Sequence, residues 1–136
     1  MTWFFVDTSA IFAILDADDQ HHAVAKAAWI ELLQSENVLL TSNYILVEAC
    51  ALLQNRLGLA AVRTFNDDIV PLMDVRWIDA AVHKAAESAH RSLARRNLSL
   101  VDCTSFEIMR QAGVKDAFTL DRHFEEQGFK CVPDIR

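Results

Sequence analysis

Four acidic residues stand where chemistry can gather. Asp7 follows the apolar run 3–6, Asp121 follows the short run 115–119, and Asp102 follows Leu98-Ser99-Leu100-Val101 at the start of a helical pattern. Glu48 has Tyr44, Ile45, Ala51 and Leu52 three or four residues away, which makes its face of a helix largely apolar. Each aspartate alone also reads as a helix N-cap, because a carboxylate accepts the free amide hydrogens there and suits the positive end of the dipole. A buried glutamate needs a partner, and Arg56 or Arg63 is the ordinary one. Taken jointly the acids read differently. Several carboxylates brought close together repel and raise one another's pKa values unless a divalent cation neutralises them. Hard oxygen donors favour magnesium or manganese over zinc.

The elements that must position these acids alternate along the chain. Residues 3–6 read as a strand, with a helix after Asp7-Thr8-Ser9 on the spacing of Ile11, Phe12, Ile14 and Leu15. A second helix is expected from Gln20 to Ser35, a strand over 38–41, and a third helix from a cap at Ser42 or Asn43 to Leu57, with Gly58 ending it. A further helix over 59–68 leads to a strand beginning near Pro71, after which Asp79 caps a long helix from Ala80 to Arg95. Ser99 to Arg110 is the next helix, capped near Asp102, followed by a strand over 115–119, a short helix over 121–127 and a strand over 129–132. Such alternation predicts a three-layer α/β/α sandwich around a mainly parallel sheet of about five short strands. Ligands on such sheets gather beyond the carboxyl ends of the strands, where Asp7 and Asp121 stand.

Composition sets the outer bounds. At 136 residues, 52% hydrophobic, with three glycines and two prolines, the chain reads as one globular domain over 1–136. A formal charge of -6 gives no global basic footprint for nucleic acid. Setting four clustered acids aside brings the remainder close to balance. Cys50, Cys103 and Cys131 are odd in number and lack the close pairing of a zinc or redox motif, which suits reduced thiols in a cytoplasm. Neither an export signal nor an 18-residue apolar run is present, so no membrane span is expected. His83 and His90 are too far apart for an i, i+4 zinc pair. Lys84, Arg91 and Arg95, with Arg96 beside them, fall on one side of the predicted long helix as a candidate RNA track, or as an ordinary solvated face. Trp3, Trp29 and Trp77 read as core or interface residues.

With these residues in place, the sequence resembles the PIN domain family, and within it the VapC-type toxin ribonucleases of bacterial toxin–antitoxin systems. The resemblance rests on Phe5-Val6-Asp7-Thr8-Ser9-Ala10, Leu46-Val47-Glu48-Ala49, Leu98-Ser99-Leu100-Val101-Asp102 and Phe118-Thr119-Leu120-Asp121-Arg122-His123-Phe124, in that order and spacing. It implies an acidic quartet of Asp7, Glu48, Asp102 and Asp121, with Asp7 and Asp102 the main metal ligands and Ser9 and Thr119 as hydrogen-bonding support. It also matches Asp18-Asp19-Gln20-His21-His22 to a charged loop at the rim of the site.

The implied activity is hydrolysis of RNA phosphodiesters by water that a magnesium or manganese ion has made more acidic. The implied partners are RNA, a small antitoxin and a second copy of the chain. Trp29, Leu33 and Leu53 are candidates for an antitoxin groove, against the plainer reading of ordinary core. Other functions remain in view: a scaffold subunit of the same fold without catalysis, a stand-alone nuclease, and cleavage of DNA. A receiver-like phosphoacceptor lacks its acidic pair at the first strand, and a haloacid-dehalogenase-type phosphatase would need an aspartate where Ser9 stands.

Overall fold

The computed structural model describes residues 1–135. Strand β1 (Thr2–Val6) lies at the centre of a five-stranded sheet. On one side it pairs with β2 (Asn37–Ser42), which pairs with β3 (Asp74–Arg76). On the other it pairs with β4 (Asp116–Phe118), which pairs with β5 (Lys130–Val132). Every pairing is parallel and the order is β3-β2-β1-β4-β5. The connections therefore run outward from β1 in one direction and resume in the other at β4. The reversal leaves a crevice beyond the carboxyl ends of β1 and β4.

Strand alternation decides which helices cover which face. Phe5 registers with Ala117 and Val6 with Phe118, so Phe5 and Phe118 point to opposite sides of the sheet. Trp29 of α2 (His22–Gln34) stacks on Phe118, with ring centroids 6.0 Å apart. Phe124 of α7 (His123–Glu126) stacks on Phe5 at 6.3 Å and meets Phe106 of α6 (Leu100–Ala112) edge-on at 5.0 Å. Both faces are thus covered, which explains why Phe5, Val6, Leu40, Ala117 and Phe118 are all fully buried. The three-layer α/β/α expectation holds.

Local signals set most element starts. Asp7 caps α1 (Thr8–Leu15), Ser42 caps α3 (Asn43–Arg56) by accepting the Ile45 N–H, and Asp79 caps α5 (Ala80–Leu93) by accepting the Val82 N–H at 2.9 Å. Some expectations need correction. Helix α4 (Leu59–Thr64) continues through a π turn to Ile69, and Pro71 sits in a 3-10 turn, so β3 begins only at Asp74. Helix α5 stops at Leu93 with Ala94 in the left-handed conformation (φ 48°), a position where glycine is the usual occupant. Arg95 therefore leaves the helix and does not share a face with Lys84 and Arg91. Trp77 is 75% exposed, whereas Trp29 and Leu53 are core. Of the three groove candidates only Leu33 lies on the surface. No helix among the described residues is long and apolar enough to cross a membrane.

Candidate active site

Asp7 is held by both ladder and cap. Its N–H donates to the Phe118 carbonyl at 3.0 Å, extending the β1–β4 ladder by one residue, and its side chain turns back to cap α1. One carboxylate oxygen, Oδ2, takes the Ser9 hydroxyl at 2.7 Å and the Thr119 hydroxyl at 2.9 Å. Each hydroxyl has a single proton and each gives it to Asp7, so the 3.1 Å approach of the two hydroxyl oxygens is proximity enforced by a shared acceptor. Ser9 Oγ also accepts the Leu120 N–H, and Thr119 Oγ1 accepts the Asp121 N–H, both at 2.9 Å. Two hydroxyls thereby tie the loop after β4 to the acid after β1.

Asp102 reaches the same crevice from α6. Its cap assignment is corrected by the structure: Ser99 is the N-cap, and Asp102 is the third helical residue of a capping box. Each residue's backbone N–H donates to the other's side chain at 3.0 Å. Asp121 accepts the His123 N–H at 2.9 Å on Oδ1. The three aspartates follow one pattern. Each uses one carboxylate oxygen to hold the backbone or its neighbours, and its other oxygen accepts no hydrogen bond among the described residues.

Glu48 completes the crevice from α3. Neither Arg56 nor Arg63 pairs with it, and among the described residues no lysine or arginine forms an ion pair with any of the four acids. Asp7, Thr8, Ser9, Glu48, Leu52, Ser99, Asp102 and Asp121 line one open cavity of about 400 Å³. The fold therefore gathers all four acids that the sequence singled out. Burial pushes the Asp7 carboxyl up to about 6; the charges of Asp102 and Asp121 push the same way, while the Ser9 and Thr119 hydroxyls oppose the rise. Burial also raises Glu48 and Asp102, with Asp121 adding repulsion to both. Thr8 is 6% exposed and its hydroxyl has no hydrogen-bond partner among the described residues, although it lies close enough to Glu48 to favour that carboxylate's charged form. A divalent cation fits this arrangement: four carboxylates line one cavity with no lysine or arginine among the described residues to neutralise them, and Asp102, Asp121 and His123 each bring a ligand atom within 4.8 Å of the others.

Residues outside the crevice divide differently. Arg91, Arg95 and Arg96 line a shallow depression with Glu87 and His90, but Arg95 is held by Glu126 at 2.9 Å, and Lys84 is not part of the lining. Asp16, Asp18, Asp19 and His21 make local turn hydrogen bonds, and the His22 ring meets the Ala13 carbonyl at 2.8 Å. The three cysteines are free thiols. Sequence reasoning passed over Thr8, Ser99 and His123. Thr8 and Ser99 carried only the generic signal of hydroxyls beside an acid or a helix start. His123 was visible inside the motif Thr119-Leu120-Asp121-Arg122-His123-Phe124, but no pattern distinguished it from a surface histidine.

Comparison with known proteins follows the same outline. The PIN domain family matches residues 4–130. The chain belongs to the PIN domain family. This PIN domain is 34% identical over 126 residues to the 23S rRNA-specific endonuclease VapC20 of Mycobacterium tuberculosis, covering 92% of this chain and 94% of that one. The crystal structure of VapC20, described as a sarcin-ricin loop cleaving toxin, matches with a TM-score of 0.79 at 32% identity, covering 93% of this chain and 95% of the other. FitAcB from Neisseria gonorrhoeae has the same fold at 16% identity, with a TM-score of 0.67 and coverage of 94% and 95%. VapBC2 from Rickettsia felis, solved with a promoter DNA fragment, does so at 10% identity, with a TM-score of 0.69 and coverage of 96% and 97%.

Proposed function

We propose that this PIN domain is a metal-dependent endoribonuclease, acting as a single unit over residues 1–136, and that it is the toxin of a toxin–antitoxin pair. One observation carries the reading: Asp7, Glu48, Asp102 and Asp121 share a cavity, and among the described residues no lysine or arginine pairs with any of them. Kinship with a 23S rRNA-specific endonuclease described as a toxin supports RNA as the substrate and toxicity as the biological effect. Magnesium or manganese is the proposed cofactor, held by the carboxylates of Asp7, Asp102 and Asp121, with Glu48 lining the same cavity. Bound there, the cation would make water more acidic and offset charge on the phosphate oxygens. Ser9 and Thr119 fix the Asp7 carboxylate through Oδ2 and leave Oδ1 without a hydrogen bond among the described residues. Glu48 lines the same cavity, and its proposed role is to orient the attacking water and take its proton. Arg91 and Arg96 are proposed backbone contacts for RNA approaching along the end of α5.

A small antitoxin and a second copy of the chain are the proposed protein partners, acting in a cytoplasm that holds the substrate. Val47, Leu59, Leu72 and Trp77 are all at least half exposed, and such apolar side chains are surface that a partner would cover. The deciding experiment incubates the purified chain with 23S rRNA fragments that include the sarcin-ricin loop. Cleavage is expected with magnesium or manganese, is lost on chelation, and is absent for Asp7→Asn. Cleavage that survives both chelation and the substitution would overturn the metal reading. A chain that binds divalent metal but cuts neither RNA nor DNA would leave the scaffold alternative standing.

A further inference from the structure

His123 stands beside the acid crevice in a way that its neighbours do not explain. An imidazole nitrogen of His123 and one carboxylate oxygen each from Asp102 and Asp121 all lie within 4.8 Å of one another. The side chain is only 16% exposed, and Nδ1 is shut off from solvent. Nδ1 lies 2.9 Å from Asp121 Oδ1, yet it has no hydrogen-bond partner among the described residues. That oxygen already accepts the backbone N–H of His123 itself, at 2.9 Å. Two electron-rich atoms so close need either a proton or a metal ion between them. Without hydrogen-bond geometry the proton is poorly placed. In six-coordinate geometry with metal–ligand distances of about 2.1 Å, adjacent ligand atoms lie about 3 Å apart and opposite ones about 4 Å. The spacing of Nδ1 and Oδ1 fits an adjacent pair, and one Asp102 oxygen lies within 4.8 Å of the ligand atoms of both residues.

We propose that His123 is a nitrogen donor of this site, so that the cation is held by an imidazole nitrogen as well as by the aspartate carboxylates and manganese is favoured over magnesium. The proposal rests on the metal reading above and adds a ligand to it. Magnesium prefers an all-oxygen shell, whereas manganese tolerates an imidazole, so exchanging one oxygen for nitrogen biases the choice. The alternative role for His123 is that of a protonated partner to Asp102 and Asp121, with no bond to the metal.

Electron paramagnetic resonance of the manganese-loaded chain separates the two. Directly bonded nitrogen gives a nitrogen modulation of the manganese signal; the wild-type protein is expected to show it and His123→Ala to lose it. Calorimetry should find manganese affinity lowered about tenfold or more by the substitution, with magnesium affinity changed less than about threefold. Manganese bound to the wild-type chain without nitrogen modulation would overturn the assignment of His123 and leave the carboxylate site intact. Unchanged manganese-to-magnesium preference in His123→Ala and His123→Gln would overturn it too. A wild-type chain that binds neither ion would remove the metal reading and this proposal together. Because the spectrum of the wild-type protein is decisive by itself, a variant that fails to fold does not block the test.

Discussion

The acid crevice and the basic end of α5 are opposite solutions to placing charge. In the crevice, Asp7 is 5% exposed and held by two hydroxyls, a ladder amide and a helix cap. At the end of α5, Arg91 and Arg96 are exposed, and Arg95 is tied to Glu126 across the surface. Buried charge on a rigid frame is costly but sharply positioned, which suits chemistry. Exposed charge is mobile and screened by salt, which suits capture of a polyanion without fixing its register. The difference predicts which substitutions abolish a reaction and which merely weaken an encounter.

The sharpest break should come from the crevice itself. Asp7→Asn and Asp102→Asn each keep the side-chain shape but lose the charge, and each should lower RNA cleavage at least about a hundredfold. Single-turnover kinetics with circular dichroism to verify the fold measures this. Near wild-type rates in both variants would end the distinction between the two regions.

Next in size is the support beneath Asp7. Thr119→Val removes the proton donated to Asp7 Oδ2 and the acceptor for the Asp121 N–H while preserving volume. A supporting partner of this kind is worth about tenfold or more in metal affinity. Isothermal titration should register that loss for Thr119→Val and near-complete recovery for Thr119→Ser, since the serine restores the hydroxyl.

A stability experiment separates burial from catalysis. The Asp7 carboxyl is raised from 3.8 to about 6 in the folded chain, so between those values the folded state binds more protons than the unfolded one. Stability of the metal-free protein therefore falls as pH rises from about 4 to about 6, and stays reduced above that. Asp7→Asn cannot ionise and escapes this penalty. Denaturant melts in chelator should find it more stable than wild type at pH 7 by up to about 3 kcal/mol, an advantage that vanishes near pH 4. Saturating manganese should reverse the order at pH 7, because the ion stabilises only the chain that holds it well.

The smallest effect belongs to the basic end of α5. Arg91→Ala or Arg96→Ala should raise KM for RNA about threefold at low salt with kcat unchanged, and the difference should disappear as salt increases. A fall in kcat instead would place these arginines inside the reaction and collapse the contrast between the regions.

The sequence by itself determined the alternation of elements and the identity of the four acids, because both are local signals. Periodicity of apolar residues reports which face of each element is buried. Caps such as Ser42 and Asp79 mark helix starts through backbone amides that need acceptors. Those same local rules misjudged Pro71, Asp102 and the end of α5, where a 3-10 turn, a capping box led by Ser99 and a left-handed Ala94 took over. Only the tertiary structure decided that β4 lies beside β1, which brings Thr119 against Asp7 across 112 positions of chain. That pairing buries Asp7, raises its pKa and leaves its second oxygen open. The orphaned Thr8 hydroxyl and the approach of His123 to Asp121 depend equally on packing. No pattern along the chain encodes them, since whether a polar atom has a partner is a property of every element that surrounds it.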